Sequence, residues 1–323
     1  MKAKVEPISL PLKAPFAITG HVFENLEGVV VTLEEDGFIG RGEADGVYYL
    51  GQNQQWMLDS LNAFFDSETN FDRENLQQLL PANAARNAVD CALWDLEAKT
   101  KGVSIWEKLN IKPKKLQTVA TVGIASPAEM AEKADGFKNF QNLKIKLDDN
   151  EPIIALEQIR KARPHANLVI DVNQGWSMEM LKDFTKHLEK LEISMIEQPL
   201  PVGDDEQLID YKGEIALGAD ESCLSTAEYE SIKRYYQVIN IKLDKTGGLT
   251  EAIKLAKLAL QDNKRLMVGN MTGSSLAMAP AYVIGQWAEF IDIDGPVLLA
   301  QDVRNGLSYD SSGVSIPESV LWG

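Results

Sequence analysis

Apolar and polar positions alternate with a period of two along the first 45 residues, as in an antiparallel sheet. Within them, EGVVVTLEEDGFIGRGEA reads as a strand, an Asp36-Gly37 turn and a second strand. From about residue 52 to 110 the period lengthens to that of a helix. In NAARNAVDCALWDLEAKTKG, Ala88, Cys91, Ala92 and Leu96 fall on one stripe that ends near Gly102. The front third is therefore expected to form a separate α+β unit. From about residue 116 the regime changes. Short apolar strands recur in QTVATVGI, NLKIKL, LVIDVN, SMIEQP, IALGAD, VINIKL, RLMVGN and EFIDID. Between them lie amphipathic segments such as EPIIALEQIRKARP and LTEAIKLAKLALQDN. Eight strands alternating with helices predict a parallel (β/α) barrel rather than an open sheet. The expected boundaries are an α+β unit over 1–115 and a barrel over 116–301. A turn-rich tail over 302–323 is expected to return to the front unit.

Composition narrows the chemistry. A net charge of −16 argues against nucleic acid or an anionic membrane surface as partner. No apolar run approaches the roughly 20 residues that span a bilayer. The opening MKAKVEPISLPLKAPF lacks the apolar core of a signal peptide, and a cytoplasmic location is expected. Cys91 and Cys223, far apart, suit reduced thiols. His21, His165 and His187 are scattered, so a metal site must rest on carboxylates, which favours a hard cation such as magnesium.

The charged residues fall at telling places. Lys144, Asp171, Glu197, Asp220 and Lys242 each sit in or at the C-terminal end of a strand, with spacings of 27, 26, 23 and 22 residues. Each spacing is one strand–helix unit, so all five converge on one mouth of the barrel, where active sites of this architecture lie. Asp171, Glu197 and Asp220 come from adjacent strands and suit an octahedral magnesium that keeps positions for water and substrate. Alternation points Lys144 and Lys146 into the barrel and Ile145 toward the helices. Lys242 lies nearly across the mouth from them. Neighbouring positive charge and partial burial are expected to lower a lysine pKa toward neutrality, as a general base requires. Two such lysines could remove and return a proton on opposite faces of one carbon. The reaction class expected is 1,1-proton transfer through a metal-stabilised enediolate, with β-elimination or cycloisomerisation open to the same parts. A non-catalytic barrel that only binds peptides would leave all three lysines without a chemical task. In FIDIDGPVLLA, Asp292 and Asp294 point to the same side. Two carboxylates so placed call for a cation, whether metal, lysine or substrate.

At these residues the chain is similar to the enolase superfamily, in its muconate-lactonizing branch. The resemblance spans nearly the whole chain, through ARNAVDCALWDLEAK, KIK, DVNQGW, EQP, ADES and KTGG. It implies a modified TIM-type (β/α) barrel with an N-terminal α+β capping domain. It also implies one magnesium per subunit on Asp171, Glu197 and Asp220, with Lys146 and Lys242 as the acid/base pair. Lys144 would assist at the substrate carboxylate, and a homo-oligomer is a further implication. Dipeptide epimerases of this branch carry an Asp-x-Asp on the eighth strand that holds the substrate's α-ammonium, and Asp292 and Asp294 match it. With the lysines assigned to the metal triad, the cation for this pair is then expected to arrive with the substrate. N-acylamino acid racemases and o-succinylbenzoate synthases are the enzymatic alternative, and they have no use for such a pair. The resemblance also places Thr121 and Asn270 against the dipeptide. Relatives selective for a C-terminal glutamate set an arginine in a capping-domain loop. His21 stands there in PFAITGHVF and would meet a carboxylate more weakly and in a pH-dependent way. Tyr48 and Tyr49 either border an apolar second side chain or pack between domains.

Overall fold

A computed structural model describes residues 1–323. At the first turn, Asp36 and Gly37 take left-handed φ angles of 51° and 82°, the geometry that keeps a two-residue hairpin in step with strand twist. It joins β2 (His21–Glu35) to β3 (Phe38–Ala44), and β1 (Lys2–Ile18) pairs antiparallel with β2 on its other edge. Helices Gln54–Ser67 and Ala84–Lys101 pack with this sheet, each started by an asparagine cap. Asn53 accepts from the Trp56 amide and Asn83 from the Arg86 amide. Gly102, with φ of 60°, ends the second helix where the sequence places its stop.

That helix lies unusually close to β3 because Gly42 has no side chain. A Cβ there would sit 2.1 Å from the Ala88 carbonyl oxygen. Both atoms belong to rigid elements, so Gly42→Ala should destabilise the fold by about 3 kcal/mol, read as a lower urea midpoint. An unchanged midpoint would contradict this packing.

The second body is a ring of parallel strands. These are β4 (Val119–Val122), β5 (Asn142–Lys146), β6 (Asn167–Asp171), β7 (Ile193–Glu197), β8 (Ala216–Ala219), β9 (Val238–Ile241), β10 (Arg265–Val268) and β11 (Phe290–Ile291). They pair in sequence order from β4 to β11. Their outward residues, such as Ile145, Ile170, Ile196 and Ile241, pack into one core with the surrounding helices. The inward Val169, Met195, Ala216, Val238 and Met267 form a separate apolar plug. The charged residues further along the strands thus stand on a dry floor. β11 is shorter than EFIDID suggested, because the ladder stops at Ile291. Asp292 still donates its amide to Val268, at 2.8 Å, and Asp294 precedes a short helix, Gly295–Leu298.

No ladder joins β4 to β11. Side chains close the seam instead. The Thr118 hydroxyl donates to the Ile291 carbonyl (3.4 Å) and accepts from the Ile293 amide (3.0 Å). The Asp294 carboxylate accepts from the Thr121 amide at 2.6 Å. The chain's end returns to the front sheet's helix: Trp322 donates its indole N–H to the Cys91 carbonyl, and the Gly323 amide donates to Asp95. Within the tail, β12 (Tyr309–Asp310) and β13 (Gly313–Val314) form a small hairpin. Cys91 and Cys223 are buried free thiols. No helix is long and apolar enough to cross a membrane.

Candidate active site

The C-terminal ends of β5 to β9 bring the charged residues together. Single carboxylate oxygens of Asp171, Glu197 and Asp220 lie within 4.8 Å of one another, and all three residues are fully buried. Three lysines press against them. Lys146 Nζ is 2.6 Å from Asp171, and Lys242 Nζ is 2.6 Å from Asp220. Lys144 Nζ lies 3.0 Å from Asp171, 2.8 Å from Glu197 and 2.9 Å from Asp292. Lys146 and Lys242 thus approach the carboxylate cluster from strands on opposite sides of it, with β6, β7 and β8 between them.

Burial and charge set the protonation states. Burial, with Asp171 next, pushes the Glu197 carboxyl up to about 8. Burial also acts to raise Asp171 and Asp220, but the adjoining lysines outweigh it and leave both below the usual carboxylate range. The expected lowering of a lysine pKa is not found at Lys242. Burial does act downward there, but Asp220 outweighs it, reinforced by Glu197 and Asp171, and the ammonium is held above its ordinary value. Sequence spacing counted the neighbouring lysines; at contact distance the carboxylates dominate. Lys144 is raised in the same way, with Asp292 its strongest stabilising partner.

The carboxylates suit a hard divalent cation on their own geometry. All donors are oxygens, and they converge. Glu197 Oε2 is buried and lies 2.8 Å from Lys144 Nζ, yet it is out of line for any hydrogen bond. Such an oxygen is available as a metal ligand, and magnesium fits this donor set.

The pair on the last strand is less free than the sequence implied. Asp292 is already engaged by Lys144, and it accepts from Asn270 Nδ2 at its carboxylate and its backbone carbonyl. Asp294 is tied to the Thr121 amide. The cation facing Asp292 in the protein itself is therefore a lysine, because Lys144 reaches across the barrel as well as along its own side. Thr121, Asn270, Asp292 and Asp294 all line one cavity with Lys144, Lys146, Lys242, Tyr48 and Tyr49. His21 does not line it. Its ring stacks on Tyr48 (centroids 5.1 Å apart, 24° between planes) and borders an adjoining outer groove.

Several residues that shape the site escaped the sequence reading. Asn240 donates to Glu197 Oε1 at 2.7 Å. It lies two residues before Lys242 on the same strand face, and that alternation was the available signal. Lys245 is fully buried and holds Asp220 through both its carboxylate and its carbonyl oxygen. Gln198, in a left-handed conformation with φ of 37°, accepts from the amides of Asp220 and Ser222. It locks the loops after β7 and β8 to each other. Asn173, with φ of 42°, accepts from Lys146 at 3.0 Å.

A (β/α) barrel with three convergent acids, flanked by lysines on either side, defines a class of barrel that pairs a divalent cation with cationic acid/base groups. The chain belongs to the mandelate racemase/muconate lactonizing enzyme family of the enolase superfamily. Residues 2–109 match the model of the mandelate racemase/muconate lactonizing enzyme N-terminal domain, and residues 126–317 match an enolase C-terminal domain-like model. It is 38% identical to the L-Ala-D/L-Glu epimerase of Escherichia coli, over 95% of this chain and 97% of that one. It is 37% identical to an N-acetyl-D-glutamate racemase of a Pseudoalteromonas species, over 91% and 95%. A dipeptide epimerase from Cytophaga hutchinsonii, solved with magnesium and D-Ala-L-Val, superposes with a TM-score of 0.91 at 26% identity, covering 98% and 93% of the two chains.

Proposed function

We propose that this protein is a magnesium-dependent dipeptide epimerase that inverts the α-carbon of the C-terminal residue. The observation that carries this reading is the approach of Lys146 and Lys242 to the carboxylate triad from opposite sides, within one cavity that ends at Asp292 and Asp294. Asp171, Glu197 and Asp220 would hold the magnesium, which would supply Lewis acidity to the site. Lys144 adds positive charge at that carboxylate. One lysine removes the α-proton and the other delivers a proton to the opposite face. Lys242, 2.6 Å from Asp220, is placed to act as the donor in one direction. Asp292 and Asp294 hold the dipeptide's ammonium, and Thr121 and Asn270 keep the two carboxylates in place. The front unit, residues 1–115, caps the mouth with Tyr48 and Tyr49.

The test is incubation of a dipeptide library with enzyme and magnesium in deuterated water. The expected result is gain of a single deuteron at the C-terminal α-carbon, with inversion. Exchange with N-acetyl amino acids and with no dipeptide would overturn the assignment in favour of N-acylamino acid racemisation. Two observations keep that second reading in view. One is the resemblance to the Pseudoalteromonas racemase; the other is the prior engagement of Asp292 by Lys144.

A pH dependence follows from Asp294. Burial, with Asp292 next, pushes its carboxyl up to about 7. Below that pH the group is neutral and holds an ammonium poorly; above it the group is ionised. The value of kcat/KM for dipeptides should therefore fall as pH drops through about 7, and Asp294→Asn should abolish that inflection. An inflection that survives in Asp294→Asn would assign it to another group.

A further inference from the structure

Beside the catalytic cavity, outside it, runs a groove of about 490 Å3. Phe23, Tyr48, Met271 and Thr272 line both spaces, so a side chain that leaves the cavity past Tyr48 enters the groove directly. The groove has three features that point to the same ligand chemistry. Glu24, Glu27 and Asp45 line it, and no lysine or arginine does. Its aromatic wall is built from His21 stacked on Tyr48 and Phe23 set edgewise to both, with Phe23 and Tyr48 centroids 5.6 Å apart. The third feature is the strongest. Both carboxylate oxygens of Asp45 are buried and accept no hydrogen bond. Burial, with Glu43 and then Asp244 next, holds the Asp45 carboxyl well above the usual carboxylate range, and no cationic side chain acts against them. An acid so placed stays neutral within the protein and would ionise only against a cation brought to it from outside.

We infer that this groove is a subsite for a cationic side chain, so that the substrates preferred are dipeptides carrying a lysine-like ammonium or an arginine-like guanidinium. This rests on the dipeptide reading above and names the side chain that reading leaves open. An acidic side chain would face three acidic groups, with the His21 imidazole the one lining side chain able to carry positive charge. An aliphatic one would fit the volume but leave Asp45 unpaired. A cation gains from Glu24, Glu27 and Asp45 together and from the faces of the aromatic wall.

The test compares kcat/KM for L-Ala-L-Lys, L-Lys-L-Ala, their leucine counterparts and L-Ala-L-Glu, with the magnesium-loaded enzyme. At least one lysine dipeptide should exceed its leucine counterpart by roughly tenfold, and L-Ala-L-Glu should be the poorest. High salt should shrink the lysine-to-leucine ratio. The double change Glu24→Gln with Glu27→Gln should pull the same ratio toward one, as should Asp45→Asn measured separately. Leucine dipeptides that match or surpass both lysine dipeptides would overturn the subsite while leaving the epimerase intact, and so would a preference for L-Ala-L-Glu. Turnover of none of the five would overturn the epimerase reading itself, and the subsite with it.

Discussion

Replacing Lys242 with alanine is expected to slow epimerisation of a dipeptide by at least about a thousandfold, the scale of a lost acid/base group. The loss should be one-sided. Lys146 remains 2.6 Å from Asp171 on the far side of the cluster, so it can still take a proton from one epimer and return it to the same face. In deuterated water the variant should exchange the α-proton of one configuration without inverting it, and leave the other untouched. Lys146→Ala should show the opposite preference. The fold should survive Lys242→Ala, because Asp220 keeps Lys245 as a buried partner at 2.5 Å. Retained inversion, or equal exchange of both epimers, would remove Lys242 from the reaction.

The second large effect is expected at Asp220, where stability and metal affinity meet. This carboxylate is the shared counter-ion of Lys242 and Lys245, both buried. Asp220→Asn keeps the shape but withdraws the charge, leaving two ammonium groups in the interior without their acid. Removing one partner from a buried ionic cluster costs about 3–5 kcal/mol. A thermal midpoint lower by several degrees should therefore accompany weakened magnesium binding measured by calorimetry. Wild-type magnesium affinity would exclude Asp220 from the metal site, and an unchanged midpoint would show that the lysines find other partners.

The convergence of the acids and lysines was legible because a barrel turns regular spacing into proximity. One strand–helix unit separates each of Lys144, Asp171, Glu197, Asp220 and Lys242, and parallel pairing in sequence order puts their strand ends side by side. The hairpin at Asp36-Gly37 and the stop at Gly102 were legible for local reasons, since both positions take the left-handed backbone that such residues favour. What escaped depends on distances across the ring. Alternation places Lys144 inside the barrel, but only the closed ring brings its ammonium within 3.0 Å of Asp292 as well as Asp171 and Glu197. For the same reason the lysine pKa was expected to move the wrong way. Gln198 carries no charge and no period, and its role comes from a left-handed turn that the motif EQP does not reveal. The resemblance set His21 where a substrate side chain would be met, and the sequence did not reveal that its ring stacks on Tyr48 at the edge of the outer groove.

The seam between β4 and β11 has a consequence for how the protein can be watched. Every other neighbouring pair of barrel strands is held by a backbone ladder. Here the Thr121 amide proton is guarded by the carboxylate of Asp294, whose carboxyl is pushed up to about 7 by burial. That one amide should therefore act as a built-in indicator. Its hydrogen-exchange rate and its chemical shift should follow the ionisation of Asp294, and should report the arrival of an ammonium in the cavity without any label added to the enzyme.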